Sequence, residues 1–410
     1  MVLIKHRNTC RGCGGKNLIL FLDLGNVPLA GGFLTSEEIA AEKKFPLKVY
    51  YCQDCGLAQV IDVVDPSVLF KEYFYVSSVI KSLSSHFQKY AEYLTEKYLT
   101  KKNSKILEFG CNDGVLLQYF KDHENIRAFG VDPSENVTEI AKNKGLEVYT
   151  SYFDKNIAES LRKKIGKVDV VTGSNVFAHV DDIQEIIEAA KIILKTEGVF
   201  IVEVHYLKDL VRRTQYDTTY HEHLSYYSVT ALQNIFKRAG MRLIDVVHLD
   251  MHGGGLRAVA VKKSSKRPVS VSVLSFIEDE KSINLKSLLK FGEDCKKHRV
   301  SLLNLLKKLK KEGSTIVGYG APGRGAILLN YCQIDENFLD YIVDVSPLRA
   351  GKLMPGVHIP IYGLEKARKN PPDYFLVLAW NYYDSIREQE KDLISKGVKF
   401  ILPLPEIRIE

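Results

Sequence analysis

The sequence of 410 residues lacks any apolar run long enough to cross a bilayer, which takes about 20 residues. Its first residues, Met1 to Arg7, lack the longer apolar stretch of a secretory signal. We therefore expect a cytoplasmic protein with no membrane partner. Short internal repeats and low-complexity tracts are also missing, which excludes a repeat architecture.

Dense basic blocks are missing as well, although the net charge is +7. The positive excess includes Lys262 to Arg267 and Lys296 to Lys311, where a solvated helix face is the simpler interpretation. A phosphate-bearing ligand would also suit such a charge. We expect no nucleic-acid partner. Cysteine is scarce, and four of the seven form two CxxC pairs, which indicates metal binding or redox work in a reducing compartment.

The length indicates two or three domains. Residues 1–66 hold the cysteine pairs and are too poor in apolar residues for an independent core. Over residues 67–262, strand-like and helical runs alternate, which predicts βαβ units and a parallel, doubly wound sheet. Residues 263–410 repeat the alternation after a long basic helix, predicted over Asn284 to Glu312. The expected fold class is α/β.

The cysteine pairs are Cys10-x-x-Cys13 and Cys52-x-x-Cys55. Four thiolates suit a tetrahedral zinc ion, and a site filled by four cysteines has no open position for catalysis. A redox CxxC is the alternative, but it would usually occur once, beside a βαβ unit. The sequence therefore predicts a structural zinc site.

The stretch from Glu108 to Gly114, Glu-Phe-Gly-Cys-Asn-Asp-Gly, follows a predicted strand. Gly110 and Gly114 allow a tight turn and a close approach of a ligand to the backbone. Asp132 ends the next strand, where an acid can hold ribose hydroxyls. Asn112 replaces the second glycine of the NAD pattern, which disfavours a dinucleotide and suits S-adenosylmethionine. A glycine turn that only packs a helix is the alternative.

The stretch Tyr220-His-Glu-His-Leu-Ser-Tyr226 concentrates ionisable groups. It lacks the HExxH spacing of a zinc protease, so general-base chemistry fits better than a metal. We predict His223 as the base, Glu222 as its orienting carboxylate and Tyr220 as the competing base. An imidazole needs little tuning near pH 7, whereas the pKa of a phenol is about 10. The sequence leaves open whether His221 or His223 faces the cleft.

Three other places offer candidate residues, each with a simpler alternative. His179 follows a strand at the edge where ligands bind in open α/β sheets, although a structural histidine is equally plausible there. Tyr75, Ser77 and Ser78 offer a polar lining, with aromatic core packing as the alternative. The stretch His252-Gly-Gly-Gly-Leu-Arg257 places glycines in an expected strand, which indicates a close approach to the backbone or an ordinary loop.

Together these motifs resemble those of bacterial S-adenosylmethionine-dependent sugar C-methyltransferases, which act on nucleotide-linked 4-keto-6-deoxy sugars. The resemblance covers nearly the whole chain. It differs at Gly255, where the family often has serine, and at Pro322 to Arg324, where alanine and lysine are common. The motifs that carry it are the paired CxxC knuckles, Glu108–Gly114, Asn175–His179, Tyr220–Tyr226, His252–Arg257, Tyr319–Gly325, Leu329–Cys332, Pro355–Pro360 and Leu378–Asn381.

The resemblance implies a small N-terminal zinc-binding domain, a class I methyltransferase Rossmann-like central domain and a Rossmann-like C-terminal domain. Substrate is expected between the last two. The implied reaction removes a proton next to a ketone and methylates the resulting enolate carbon, with a phenol of Tyr220 or Tyr75 donating to the carbonyl oxygen. The resemblance also implies roles for Tyr75 and His179 near the sugar.

The candidate residues fall into four sets. The catalytic set is His223, Tyr220, Glu222, His179 and Tyr75. The S-adenosylmethionine set is Glu108, Gly110, Asn112, Gly114, Asp132, Pro133, Phe153 and Asn175. The substrate set is Tyr75, Ser77, Ser78, His252, Arg257, Gly320, Lys352, Trp380 and Asn381. The zinc set is Cys10, Cys13, Cys52 and Cys55.

Two other functions remain open at this stage. One is O-methylation of a sugar or small phenol, which needs neither a ketone nor an enolate. The other is a non-catalytic nucleotide-sugar-binding protein with a degenerate methyltransferase domain, against which the intact Gly110, Gly114 and Asp132 argue. We expect the protein to act as a monomer on a nucleotide-linked keto-sugar.

Overall fold

The computed structural model of the chain describes residues 3–69, 78 and 81–410, apart from the side chains at positions 67, 81, 82 and 252. Tyr75 and Ser77 therefore lie outside the described residues, as does the side chain of His252. In the part of the chain that is described, no helix is both long and apolar enough to cross a membrane.

An antiparallel hairpin brings the two cysteine pairs together. Its strands pair from Leu18 with Cys52 to Pro28 with Lys44. Residues Ser225–Tyr226, far along the chain, extend the same sheet as an edge strand. The N-terminal elements are β1 (Ile4–His6), β2 (Leu18–Pro28), β3 (Lys44–Cys52), β4 (Ala58–Val60), β5 (Asp62–Val64) and α1 (Pro66–Leu69).

A seven-stranded sheet forms the central domain, in the order β12-β13-β10-β9-β6-β7-β8. All its strands are parallel except β13, which is antiparallel to both neighbours. The strands are β6 (Ser104–Phe109), β7 (Ile126–Asp132), β8 (Val148–Thr150), β9 (Val168–Ser174), β10 (Leu194–His205), β12 (Met241–Leu249) and β13 (Gly255–Lys262), while β11 (Ser225–Tyr226) joins β4. The helices are α2 (Lys81–Lys97), α3 (Glu135–Asn143), α4 (Lys155–Ile165), α5 (Ile183–Ile193), α6 (Leu207–Arg212) and α7 (Val229–Arg238).

The C-terminal domain is a six-stranded sheet in the order β16-β15-β14-β17-β18-β19, parallel except for β19. Its strands are β14 (Ile316–Tyr319), β15 (Ile342–Asp344), β16 (Ile361–Gly363), β17 (Tyr374–Val377), β18 (Lys399–Leu402) and β19 (Arg408–Ile409). The helices from residue 263 onward are α8 (Val271–Asp279), α9 (Leu285–Lys311), α10 (Gly323–Cys332), α11 (Leu364–Lys369), α12 (Tyr383–Gln389) and α13 (Lys391–Ser395). The α/β class predicted from the alternating pattern is confirmed.

Helix α8 packs on the central domain. Its residue Val273 is buried in the same core as the β9 and β10 side chains, and Ser270 at its start donates its backbone N–H to the carbonyl of Ile244 in β12 at 2.7 Å. The long helix α9 begins at Asn284, whose side chain accepts from the backbone N–H of Ser287. The sequence pattern predicts that the C-terminal domain begins at residue 263. Because α8 packs on the central domain, we propose that the C-terminal domain begins near α9 instead.

The N-terminal hairpin and the C-terminal domain share one apolar core. The rings of Phe21 in β2 and Phe291 in α9 have centroids 6.3 Å apart. A Cβ atom at Gly292 would lie 2.1 Å from the carbonyl oxygen of Phe21, so only glycine allows this approach of helix and strand. Tyr216, from the central part of the chain, is buried in the same core. Three stretches that are distant in sequence therefore pack as one unit.

A buried carboxylate ties the central and C-terminal domains together. Asp217 accepts hydrogen bonds from Arg324 Nε at 2.8 Å and Nη2 at 3.0 Å, and from Trp380 Nε1 at 2.8 Å. The side chain of Asp217 is only 1% exposed and that of Arg324 only 11%. The guanidinium also lies over the Trp380 ring, 4.6 Å from its centroid. Asp217 belongs to the segment that leads into Tyr220–His223.

Replacing Arg324 by alanine should destabilise the protein strongly. The change leaves the Asp217 carboxylate buried beside a single donor, and removing one partner of a buried pair typically costs about 3–5 kcal/mol. The midpoint of thermal unfolding, followed by circular dichroism, measures this loss. As a control, Lys296→Ala removes a surface partner of Glu293 and should barely move the midpoint. Equal midpoints for both variants would contradict the assigned importance of Asp217.

Candidate active site

The four paired cysteines converge on one point. Their sulfur atoms all lie within 4.8 Å of one another, with Cys10 to Cys55 and Cys13 to Cys52 both 3.6 Å apart. Zinc–sulfur bonds of about 2.3 Å in a tetrahedron would place sulfurs about 3.8 Å apart. The cluster therefore fits one zinc ion held by four thiolates, as the spacing predicts.

Backbone and side-chain donors surround these sulfurs. The N–H of Gly12 donates to Cys10 Sγ and that of Gly15 to Cys13 Sγ, both at 3.3 Å, and the amide of Gln59 donates to Cys10 Sγ at 3.0 Å. Such donors offset the negative charge of thiolates around a metal. Each sulfur of the first knuckle thus accepts at least one hydrogen bond.

The residue between the first two cysteines reaches toward the central domain. Arg11 is buried, and its guanidinium donates to the carbonyl of Val60 at 2.6 Å and also to the carbonyl of Leu224. Leu224 directly follows His223 in sequence. The zinc knuckle therefore contacts the segment that carries the predicted base.

The turn after β6 has the geometry expected of a cofactor turn. Gly110 and Gly114 have φ of +64° and +78°, and Asn112 between them has φ of +52°. A Cβ atom at Gly110 would lie 2.6 Å from the Val176 side chain, so the turn requires glycine there. The turn lies at the carboxyl edge of the sheet, where ligands bind in open α/β folds.

Asp132 closes the same turn from the end of β7. Its carboxylate accepts the backbone N–H of Asn112 and that of Ser134, each at 2.9 Å. Burial raises its pKa, while these two bonds oppose the shift. Each carboxylate oxygen has a second lone pair, so Asp132 can also accept from ribose hydroxyls. Pro133 follows it in the turn.

Glu108 provides an independent sign of a bound group. It is buried at the end of β6, and its Oε2 has no hydrogen-bond partner among the described residues. Burial raises the pKa of Glu108 well above its usual range, with further contributions from Glu203, Asp132 and Asp113. A buried carboxyl with an oxygen that has no hydrogen-bond partner among the described residues fits a polar cofactor at this turn.

Two other predicted cofactor residues have different surroundings. Phe153 stacks on Phe109 with centroids 5.4 Å apart, inside the core behind the turn. Asn175 follows β9 with φ of +58° and lines a small cleft at the carboxyl edge of the sheet. Asn175 is therefore placed at the ligand-binding edge, whereas Phe153 supports the turn by packing.

His223 lies within a cluster of aromatic rings. Its ring centroid is 3.9 Å from that of Tyr220, 4.4 Å from that of His205 and 5.0 Å from that of His179. Burial lowers the pKa of His179 to about 4, which keeps that ring neutral beside His223. The structure thus brings together three of the predicted catalytic residues and adds His205.

A backbone carbonyl orients the His223 ring. Nδ1 of His223 lies 2.9 Å from the carbonyl oxygen of Thr218, which can only accept, so Nδ1 carries the proton. Nε2 then remains as the basic nitrogen. The Thr218 carbonyl thus orients the ring through Nδ1, and the orienting role of Glu222 stays a prediction.

The neighbouring residues face elsewhere. His221 is buried against the N-terminal domain, with Nε2 at 3.3 Å from the Phe45 carbonyl, and burial lowers its pKa to about 4. His223 is thus the histidine of this pair that lies in the cluster. Burial raises the pKa of Glu222 to about 7, so this carboxyl titrates near neutral pH.

The predicted substrate residues fall at several places. Arg257 is buried in an ion pair with Glu203, which limits what it can offer a ligand. Ser78 donates its backbone N–H to Asp113 at 3.3 Å. Trp380 donates its indole N–H to Asp217, and Asn381 Oδ1 is buried without a hydrogen-bond partner among the described residues.

The C-terminal domain repeats the geometry of the first turn. Gly320 has φ of +82°, and its N–H donates to Val343 at 2.7 Å, just as Gly110 donates to Val131 at 2.7 Å. Asp344 at the end of β15 then accepts the N–H of the turn, as Asp132 does. Its bonds come from Ala321 at 2.6 Å and Ser346 at 2.7 Å.

Two of the residues near the cluster are missing from the sequence prediction. His205 ends β10, and His179 follows the neighbouring strand β9. Ligands bind at the carboxyl ends of such strands, so the argument that made His179 a candidate also applies to His205. His86 lies in α2, before the sheet begins, and lines the cleft beside Asn175 and His205. No local pattern marks His86.

Three family models match the chain. One described as "C-methyltransferase C-terminal domain" covers residues 250–405, one described as "Methyltransferase domain" covers 83–246, and one for a zinc binding domain covers 10–70. Together the three models cover residues 10–70, 83–246 and 250–405.

One relative is similar over its whole length. C-methyltransferase NovU of Streptomyces niveus is 33% identical over 411 residues, which cover 99% of this chain and 98% of NovU. A ubiquinone biosynthesis O-methyltransferase of Coxiella burnetii (strain Dugway 5J108-111) is 26% identical over 174 residues, covering 38% of this chain and 71% of that protein. Among solved structures, magnesium protoporphyrin IX methyltransferase from Synechocystis PCC 6803 with bound SAH covers 44% of this chain and 83% of its own, at 14% identity and a TM-score of 0.35.

We expect one zinc ion per chain, and Cys13→Ser should lower both the zinc content and the thermal stability, more than it affects the chemistry. A site of four thiolates loses a quarter of its ligand set, and metal binding is part of the folding energy of such small domains. Elemental analysis by mass spectrometry measures the metal. Asp54→Ala, an exposed neighbour of Cys55, should keep its zinc. Parent protein that contains no zinc after purification without chelators would contradict the prediction.

Asp132→Ala should weaken binding of S-adenosylmethionine by about 1.5–3 kcal/mol, the usual worth of a hydrogen bond to a charged group. Titration calorimetry with S-adenosylhomocysteine gives the affinity. Asp122→Ala removes an exposed carboxylate of the same domain and serves as the control. If calorimetry finds the same affinity for Asp132→Ala as for the parent, the cofactor binds elsewhere.

Proposed function

The chain belongs to the family of S-adenosylmethionine-dependent C-methyltransferases with an N-terminal zinc-binding domain, and from this we propose that it methylates a carbon next to the ketone of a nucleotide-linked 4-keto-6-deoxy sugar. The observation that carries the proposal is the orientation of His223. Its Nδ1 is occupied by the Thr218 carbonyl, so a basic Nε2 is left within the histidine cluster.

A C-methyltransferase needs such a base because a saturated carbon is not a nucleophile. In our proposal Nε2 of His223 takes the proton from the carbon next to the ketone. The electron pair of that C–H bond forms a carbon–carbon double bond, and the carbonyl π electrons move to oxygen. S-adenosylmethionine bound at the Gly110–Gly114 turn supplies the methyl group. The bound geometry contributes much of the rate by holding the reacting atoms in line.

The developing charge on the carbonyl oxygen requires a hydrogen-bond donor. Tyr220 is suited to this role because its ring lies against His223, 3.9 Å between centroids. A phenol also donates without having to lose its proton first. We assign Glu222, which titrates near neutral pH, to the same acid–base segment. His179, held neutral by burial, lies on the other side of His223 and does not compete for the proton.

We propose that the nucleotide part of the substrate binds the C-terminal domain. Support comes from the second turn, where Asp344 accepts two backbone N–H groups in the same pattern as Asp132. The Trp380 ring offers stacking area close to this turn, while its N–H is held by Asp217. Lys352 and Asn381 remain our other proposed contacts.

His223→Ala should lose about 10²–10⁴-fold in activity while binding the cofactor normally, which is the usual contribution of general-base catalysis. The direct readout is exchange of the sugar α-proton in D₂O with S-adenosylhomocysteine present, followed by NMR. We expect this exchange to disappear with the imidazole. His221→Gln, whose ring faces the N-terminal domain, is the matched control and should retain exchange.

Two outcomes would change the proposal. If His223→Ala exchanges as fast as the parent and Tyr220→Phe does not, the phenol is the base. If the parent methylates its substrate at oxygen without any α-proton exchange, the protein is an O-methyltransferase and no enolate forms.

A further inference from the structure

A buried carboxylate on β10 binds two basic side chains from different elements. Glu203 Oε1 accepts from Arg257 Nε at 2.8 Å and Nη2 at 2.6 Å, and Oε2 lies 2.9 Å from His86 Nε2. The side chain of Glu203 is 2% exposed, that of Arg257 8% and that of His86 13%. Neither Glu203 nor His86 has a role in the mechanism derived above.

The ion pair keeps Glu203 ionised. Glu203 and Arg257 face each other as cross-strand partners of β10 and β13. The guanidinium is fixed over Tyr90 and Tyr93, 3.9 Å and 4.7 Å from their ring centroids. Burial raises the pKa of Glu203, but the His86 hydrogen bond and the Arg257 charge outweigh it, and the net pKa is lowered.

An ionised carboxylate sets the tautomer of His86. Because Glu203 can only accept, Nε2 of His86 must carry a proton. Nδ1 is then the other ring nitrogen, and the carboxylate holds the ring in one orientation. This is the carboxylate–imidazole arrangement that enzymes use for acid–base groups.

His86 faces the cleft that lies beside the histidine cluster. The cleft is formed at the carboxyl ends of β9 and β10 by His86, Asn175 and His205, with the backbone of Gly254 on one side. A Cβ atom at Gly254 would lie 2.1 Å from the Asp209 carboxylate, so this side of the cleft requires glycine. The ring of His205 in turn lies 4.4 Å from that of His223 between centroids, at an interplanar angle of 45°.

We propose that His86, held by Glu203, is a second catalytic residue that donates a hydrogen bond from its protonated Nδ1 to the carbonyl oxygen as the enolate forms. The inference rests on the enolate chemistry proposed above. The proton of the α-carbon goes to His223, the electrons of the C–H bond form the double bond, and the oxygen gains charge. When the carbon takes the methyl group, the S–CH3 bond of the sulfonium breaks and its electron pair stays on sulfur. The carbonyl re-forms and the His86 bond weakens, so no oxidant or reductant is required.

The charges around His86 favour this role. The titratable and charged groups that face it among the described residues are Glu203 and His205 from β10, Arg257 from β13 and Tyr90 from its own helix. Glu203 and Arg257 cancel each other. Burial raises the pKa of Glu108 well above its usual range. A protonated His86 adds a positive charge that favours the negative charge of an enolate.

The test is the pH dependence of α-proton exchange, measured by NMR in D₂O with S-adenosylhomocysteine and a nucleotide-linked 4-keto sugar. His223 must be neutral, so exchange rises as the pH passes its pKa, and His86 must be protonated, so exchange falls at higher pH. We expect a bell-shaped profile for the parent. His86→Gln should lose the falling limb and about 10²–10³-fold of the rate, the usual effect of removing one such donor.

The matched control is His6→Gln. His6 also pairs with a carboxylate, Asp62 at 2.7 Å, but lies on β1 of the N-terminal domain. Its profile should match that of the parent, whereas His223→Gln should lose the rising limb. A His86→Gln enzyme with the rate and both limbs of the parent would overturn the inference. Absence of exchange in the parent would instead refute the proposed function.

A measurement on the parent protein keeps the inference testable if the variant does not fold. Nitrogen-15 NMR of the histidine rings, with S-adenosylhomocysteine bound, reports which ring nitrogen is protonated. We expect Nε2 of His86 to stay protonated throughout while Nδ1 titrates. A neutral ring protonated at Nδ1 would contradict the proposed donor.

Discussion

The arrangement of the molecule depends on one buried negative charge. Asp217 is enclosed where the central and C-terminal domains meet. Two C-terminal side chains donate to it, the charged Arg324 and the neutral Trp380. An uncompensated carboxylate at that position would be costly, so the domains are held in one relative placement. Because Asp217 lies three residues before Tyr220, the same interaction fixes the segment that carries the proposed base. The position of the Gly320–Gly325 turn and that of the proposed base are thus coupled through a single side chain.

The N-terminal domain acts on the same segment from the other side. Arg11 lies inside the zinc knuckle and donates to the carbonyl of Leu224, while β11, which follows immediately, pairs with β4 as the edge of the N-terminal sheet. The zinc ion has no open coordination position in a site of four cysteines. It therefore stabilises the fold of the N-terminal domain and takes no part in the chemistry. The segment that holds Thr218 and His223 is thus fixed at both ends. Asp217 binds the C-terminal domain at one end, and Leu224 binds the N-terminal domain at the other.

Much of this organisation follows from local sequence patterns. The CxxC spacing, the glycine turn with Asp132, and the alternation of strands and helices all depend on neighbours in sequence, and the structure confirms the zinc cluster and the α/β class. Orientation could not be predicted in the same way. Whether His221 or His223 faces the cluster depends on a turn. The contact of His223 with the Thr218 carbonyl could not be predicted, because a backbone carbonyl has no sequence signature. His86, Glu203 and Asp217 acquire their partners only through tertiary packing, since each partner lies on another element.

The contact between β2 and α9 also bears on how the chain folds during synthesis. The apolar face of the N-terminal hairpin is covered by a helix that leaves the ribosome only after most of the chain has been made. Contacts of such long sequence separation form late, and an uncovered strand pair is prone to aggregate in the meantime. Zinc binding by the hairpin and its flanking turn needs only the first 55 residues. We expect the metal to hold this early segment in its native shape until α9 arrives, so that zinc supply during translation governs the yield of folded protein.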